Sequence, residues 1–230
     1  MLIQIEKQNA DGFIFELDKE NNTIRDTLEE AVKRGISLHN AYLLGANLEG
    51  ANLRGADLSC ANLFVSNLRG ADLRDTNLVG TYLRGADLTG ANLTGADLRD
   101  AWFDNVVLDN TIMPDFPMVC PDTGSFIGYK KIFNTKEYND RQFIVKLEIP
   151  EDAKRSSATT SKCRCSKAKV LEIRDMMSGE NLYEMTNLTK VGCTYKVGEY
   201  VYPDSFDECR WNECSHGIHF FMTEKEASFY

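Results

Sequence analysis

The sequence predicts a mainly β chain organised around a short solenoid, and three observations carry that prediction. First, Ala41 to Thr111 repeats every five residues as A(D/N)LXX, running from AYLLG-ANLEG-ANLRG to ADLRD-AWFDN-VVLDN. Second, a large apolar residue stands at the centre of every unit, from Leu43, Leu48 and Leu53 to Phe103 and Leu108, with a small residue two positions earlier. Third, a period of five fits neither the helical 3.6 nor the strand 2.0, so the segment is neither an amphipathic helix nor an ordinary sandwich. Such short units bury their apolar residue only by stacking on neighbours, which gives a continuous core and a nearly one-dimensional molecule.

These repeats resemble the pentapeptide-repeat family. The resemblance implies a right-handed quadrilateral β-helix with one pentapeptide per side and the central and small residues turned inward. At about 20 residues per coil the segment makes just under four coils, and a strand spacing of about 4.8 Å makes the rod roughly 18 Å long.

The remaining chain is read around that rod. In residues 1–35, LIQIEKQNADGFIFEL alternates apolar and polar on both sides of Asp11-Gly12, a hairpin signal. Thr23 to Arg34 then places Ile24, Leu28, Ala31 and Val32 on one helical face, with Thr27 and Glu30 spaced as a capping box and Gly35 as the stop. An exposed coil end presents apolar core and strand edges, so this hairpin and helix are expected to cap it. The solenoid occupies residues 36–115. Pro114, Pro117 and Pro121 then interrupt the ladder, because proline lacks the donor. Residues 116–230 carry strand-like runs at 126–132, 143–149, 168–174, 195–202 and 217–222, followed by a helix opening at Thr223 with Glu226 three residues on. This predicts a small C-terminal α+β domain.

Composition narrows the function. No apolar run reaches eighteen residues and the start carries a charge where an export signal is apolar, which predicts no membrane segment and a cytoplasmic location. Seven cysteines are an odd, scattered set, expected to be free thiols rather than a disulfide framework. The net charge of −9 sits mostly on the repeat half, and no basic stripe marks either half, so direct nucleic-acid binding is not expected.

Three groups of residues are candidate sites. Stepping twenty residues along the repeats puts Tyr42, Leu44, Phe64, Tyr82 and Trp102 on one face, while the other three faces are polar. A contiguous apolar face calls for a cover: the hairpin, the C-terminal domain, a protein partner or another copy of the chain. Lys154, Arg155, Lys162 and Arg164, in a segment with many hydroxyls and no acids, are a candidate anion or nucleotide site together with His216 and His219. The other reading of that segment is a solvated loop. Cys163, Cys165, Cys214 and His216 are a weak zinc set whose spacing matches no strong pattern, so neither a metal nor another cofactor is predicted.

The stretches GSFIGYKK, IVKLEIPEDAKRSS, KCRCSKAKVLEI, YKVGEYVYPDSF and ECSHGIHFFMTEKEASFY resemble a domain of unknown function that often follows pentapeptide repeats in bacterial and bacteriophage proteins. GIHFFMTEKEASFY is also similar in pattern to a strand and helix of ADP-ribosyltransferases, with His219 where that family has an aromatic hydroxyl. The expected function is therefore a non-enzymatic interaction or scaffold protein, phage-encoded and acting on a host protein or host-defence component. One alternative binds, sequesters or modifies a nucleotide through the C-terminal domain. Another is DNA mimicry, as in pentapeptide-repeat proteins that bind type II topoisomerases, although the repeats hold 9 acids against 5 bases.

Overall fold

Every twentieth residue of the repeats meets its counterpart in the next coil. Parallel bridges run Tyr42 to Asn62 to Tyr82 to Trp102, and likewise from Asn47, Asn52 and Asp57, so four pentapeptides make one turn of a four-sided β-helix. The computed structural model describes residues 1–8, 12–115, 118–134, 141–187, 193–211 and 216–230, the side chain of Asn134 excepted. These fall into two compact units, Met1–Phe116 and Pro117–Tyr230.

Each letter of the repeat has a physical task. The central residues Leu43 to Leu98 and Phe103 are at most 3% exposed and form the core. The Asp or Asn before each centre hooks back on the chain. Asp87 Oδ1 accepts from Thr89 N–H at 2.9 Å, and Asn92, Asp97 and Asn67 do the same two residues on, an Asx-turn that fixes those corners. The fifth residue closes the corner in the left-handed region, which is why glycine recurs there, with Asn and Asp as substitutes. Where the small residue is not alanine it brings a hydroxyl that finds a carbonyl. Thr76 Oγ1 donates to Leu53 O at 3.0 Å and Thr81 Oγ1 to Leu58 O at 2.8 Å, so both stay buried without an orphan group.

The N-terminal segment pairs β1 (Leu2–Glu6) with β2 (Phe13–Asp18), Ile5 opposite Phe15. Of the expected turn Asp11-Gly12, Asp11 lies outside the described residues. Helix α1 (Ile24–Lys33) follows. Its capping box differs from the expected one: Thr23 is the N-cap and Asp26 returns the bond, both at 3.0 Å. Thr27 is instead buried in the helix and Glu30 pairs with Arg34, because the helix begins four residues before the predicted box. This segment engages the edges of the first coil. Lys7 bridges Ala41, Arg25 donates to Glu49 O at 3.1 Å, Asn52 N–H donates to Glu29 at 2.8 Å, and Leu38 N–H donates to Asp57 O at 2.8 Å.

The second unit is antiparallel. Strands β3 (Phe126–Asn134), β4 (Arg141–Ile149), β5 (Arg155–Ser157), β6 (Cys163–Cys165), β7 (Ala168–Asp175), β8 (Asn181–Leu182), β9 (Glu184–Asn187), β10 (Cys193–Lys196), β11 (Tyr200–Val201) and β12 (Ile218–Phe220) precede helix α2 (Glu224–Phe229). The main sheet is ordered β11-β7-β4-β3 with β8 on β7. A smaller sheet is ordered β12-β6-β5, and β9 pairs with β10. Phe143, Val145, Leu147, Val170, Ile173 and Phe220 fill the core between them. Gly128 on β3 is required by that packing, since a Cβ there would come within 2.6 Å of the Phe220 ring. The predicted strand 195–202 divides into β10 and β11, because Gly198 turns the chain at φ +91°.

Candidate interaction face

Within the first unit the predicted apolar face is exposed. Tyr42, Leu44, Phe64, Tyr82 and Trp102 are 42, 45, 38, 39 and 55% exposed, far above the core residues beside them in sequence. The bridges that stack the coils also stack these side chains, and the Tyr82 and Trp102 rings lie 5.5 Å apart. Within the first unit the hairpin does not lie over this face. It extends the ladder at one end, where Tyr42 N–H donates to Glu6 O at 2.9 Å.

Two further residues of this face stand out. Val65 closes the corner after Phe64 with φ +50°, and it is 51% exposed. The other non-glycine corner residues of the repeats are Cys60, Asp75, Asp100, Asn105 and Asn110, so Val65 is the one β-branched side chain in a conformation that β-branching disfavours. Strain of this kind clusters at functional sites. The signal was available: the unit ANLFV ends in valine where its neighbours end in Gly, Cys or Asp.

Arg84 is the second. Arg54, Arg69, Arg74 and Arg99, on the other three faces, each bond an aspartate, at 3.1 Å to Asp75, 3.0 Å to Asp87, 2.5 Å to Asp72 and 2.6 Å to Asp97. The Arg74 guanidinium holds the Asp72 carboxyl below the usual carboxylate range, and Arg99 does the same for Asp97. Arg84, two residues after Tyr82 and one coil on from Phe64, has no ion pair among the described residues. The four arginines of the polar faces are thus paired, and that of the aromatic face is not.

In the second unit the segment 154–169 is not a solvated loop. It supplies β5 and β6, and Ser156, Ser157, Ala158, Thr159 and Arg164 are all buried. Its bases serve different partners. Lys154 pairs with Glu208, Arg155 donates to the carbonyls of Pro121, Gly124, Pro150 and Glu151, and Lys162 reaches the Tyr230 hydroxyl at 3.0 Å. Arg164, 2% exposed, donates to His216 O at 3.0 Å and Cys209 O at 2.8 Å and lies over the Phe206 ring. His216 is exposed, 3.8 Å from Asp204, while His219 is half-buried on β12. Strand register does align three polar residues in one row, Ser156 opposite Arg164 and Arg164 opposite His219. Ser156 Oγ in that row is buried with no hydrogen-bond partner.

Cys163 and Cys165 are fully buried on β6, and Cys214 lies outside the described residues. Among the described residues no three His, Cys, Asp or Glu side chains gather as a metal-ligand group. No helix among them is long and apolar enough to cross a membrane.

Comparison with known proteins divides the chain at the same place as its contacts do. Pentapeptide repeats match in 8 copies over residues 34–64 and 66–105. A family of unknown function, DUF5758, matches residues 116–227. Among solved structures, a pentapeptide repeat protein from Nostoc PCC 7120 is 35% identical, covering 40% of this chain and 86% of its own, with a TM-score of 0.37. A pentapeptide repeat protein of the Arabidopsis thaliana thylakoid lumen is 30% identical, over 36% of this chain and 62% of its own, with a TM-score of 0.29. HetL, a pentapeptide repeat protein of Nostoc PCC 7120 involved in heterocyst differentiation regulation, is 29% identical over 34% of this chain and 54% of its own, with a TM-score of 0.15. This chain thus covers less than two thirds of the latter two. No curated protein matches it.

Proposed function

This chain belongs to the pentapeptide-repeat family, and on that footing we propose that it is a non-enzymatic interaction protein whose β-helix presents one face to a protein partner. The observation that carries the reading is the contrast between faces: the arginines of three are paired with aspartates, while the fourth exposes Tyr42, Leu44, Phe64, Tyr82 and Trp102 beside Arg84, which has no ion pair among the described residues. Rigid aromatic side chains and arginine are the residue types that dominate binding energy at protein interfaces. The hairpin and α1 act as the cap of one coil end, leaving that face open. A phage-encoded protein directed at a host protein or a host-defence component would use such a face. DNA mimicry draws less support, because arginines punctuate the polar faces.

The test is partner capture from the native host cell with the wild-type chain and with Phe64→Asp plus Trp102→Asp. Loss of a specific partner in the double variant, with its circular dichroism and melting unchanged, is the expected result. Equal capture by both proteins overturns the assignment of the face.

A second reading concerns the C-terminal unit, which would take a small anionic ligand such as a nucleotide. Its support is the row Ser156, Arg164 and His219, with one buried hydroxyl lacking a partner. A ligand that binds only the native state raises its melting temperature. A nucleotide that does so for the wild type and not for Ser156→Ala would support this reading, and a flat screen would remove it.

A further inference from the structure

We propose that Cys120 and Cys163 form a dithiol site that a hydroperoxide converts to a disulfide, clamping the segment around residue 120 to β6. The geometry begins with Ser157, whose strand register puts it directly opposite Cys163. Ser157 Oγ also accepts from Val119 N–H at 2.8 Å, and Cys120 Sγ lies 4.0 Å from the same oxygen. The two thiols lie in the same buried cluster, Cys163 Sγ being directed to Ser161 O at 3.7 Å, and each shifts the titration of the other. They are thus neighbours in space although 43 positions apart in sequence, with Cys120 2% and Cys163 0% exposed.

Their environments differ in a way that assigns the roles. Interaction with Cys163, with help from Ser157 and the charge of Arg155, outweighs burial and lowers the Cys120 thiol. Interaction with Cys120, burial and the charge on Cys120 push the Cys163 thiol up. Burial takes Cys165, two residues along β6, up to about 12, and its Sγ is directed to Ile218 O at 3.8 Å. Cys120 is therefore the most readily ionised of the three thiols, and the thiolate is the reacting form.

The step balances as follows. Cys120 sulfur attacks one oxygen of the hydroperoxide, the O–O bond breaks and the leaving oxygen departs with a proton, leaving a sulfenic acid on Cys120. With the charge on Cys120 gone, one cause of the raised Cys163 thiol disappears. Cys163 sulfur then gives up its proton and attacks the Cys120 sulfur, the S–S bond forms, the S–O bond breaks, and the hydroxyl leaves as water. With hydrogen peroxide itself, two thiols are oxidised and one peroxide becomes two waters. Entry requires local opening of the chain around Val119, which is itself 43% exposed.

The experiment uses the full, reduced chain treated with hydrogen peroxide, followed by thiol counting in denaturant and tryptic mapping without reduction. The expected result is loss of two of the seven thiols, with peptide 100–130 joined to the dipeptide Cys163-Arg164 and reversal by dithiothreitol. Cys165→Ser should still cross-link, and Cys163→Ser should stop at a sulfenic acid on Cys120 that dimedone traps. Oxidation should also raise the melting temperature of the C-terminal unit, since it restricts the unfolded chain. Seven thiols remaining under peroxide that oxidises free cysteine, or a principal link from Cys120 to any sulfur other than Cys163, overturns the proposal. The wild type and Cys165→Ser decide it even if Cys163→Ser does not fold.

Discussion

The two halves of this chain solve the same problem, burying polar backbone beside an apolar core, by opposite means. In the β-helix the solutions are local and repeated: an Asx hook wherever Asp or Asn precedes the centre, a left-handed fifth residue, and a leucine that meets its copy twenty residues later. In the C-terminal unit the solutions occur once each and join distant positions. Arg164 binds carbonyls 45 and 52 residues away, and Asp175 caps one turn while pairing with Arg141 across the sheet. Repetition makes the first half tolerant of exchange between units, whereas the second half depends on individual side chains.

The largest test of that contrast is to remove one repeated element. Leu73 is 0% exposed in the middle of the stack, and Leu73→Ala should cost about 3 kcal/mol, the transfer energy of the lost atoms plus the cavity left behind. Because each coil touches only its neighbours, the loss should appear in hydrogen exchange as weakened protection of the coils on either side of residue 73. An even loss of protection across residues 41–111 would show that the solenoid behaves as one cooperative block rather than a stack.

Next in size is a single element of the other half. Asp175 is 0% exposed and accepts from Met177 N–H at 2.7 Å and Ser178 N–H at 3.0 Å, besides pairing with Arg141. The Ser178 and Met177 amides and the Arg141 guanidinium hold its carboxyl below the usual carboxylate range. The folded value is thus lower than the unfolded one of about 3.9, so the stabilisation is complete above about pH 4 and is lost as pH falls through the folded value. Asp175→Asn should therefore lower the melting temperature of this unit at neutral pH and flatten its fall under acid. A variant that keeps the wild-type acid profile would assign that sensitivity to other carboxylates.

The same contrast explains what could be read from the sequence. The solenoid was legible because its stabilising contacts recur at fixed offsets, and the face of Tyr42, Phe64, Tyr82 and Trp102 followed from arithmetic. The capping box was misplaced because Thr27 and Glu30 match the preferred pattern better than Thr23 and Asp26, which the structure uses. Segment 154–169 was read as a candidate solvated loop because its bases and hydroxyls look polar. Its burial depends on partners such as His216 O and Gly124 O that no local pattern announces. The Cys120 and Cys163 pairing was equally invisible, since it rests on strand register around Ser157.

The smallest effect has the opposite sign and bears on the face itself. Val65 holds φ +50° with a branched Cβ, and its 51% exposure means that little packing offsets the strain. Asn tolerates the left-handed region, so Val65→Asn should stabilise the β-helix by about 1 kcal/mol, seen as a rise of a few degrees in its melting temperature. If the valine is kept because a partner contacts it, the stabilised variant should bind that partner more weakly than the wild type. A variant that is more stable and binds equally well would show that the strain at residue 65 serves no interface, and would shrink the face to its aromatic ladder and Arg84.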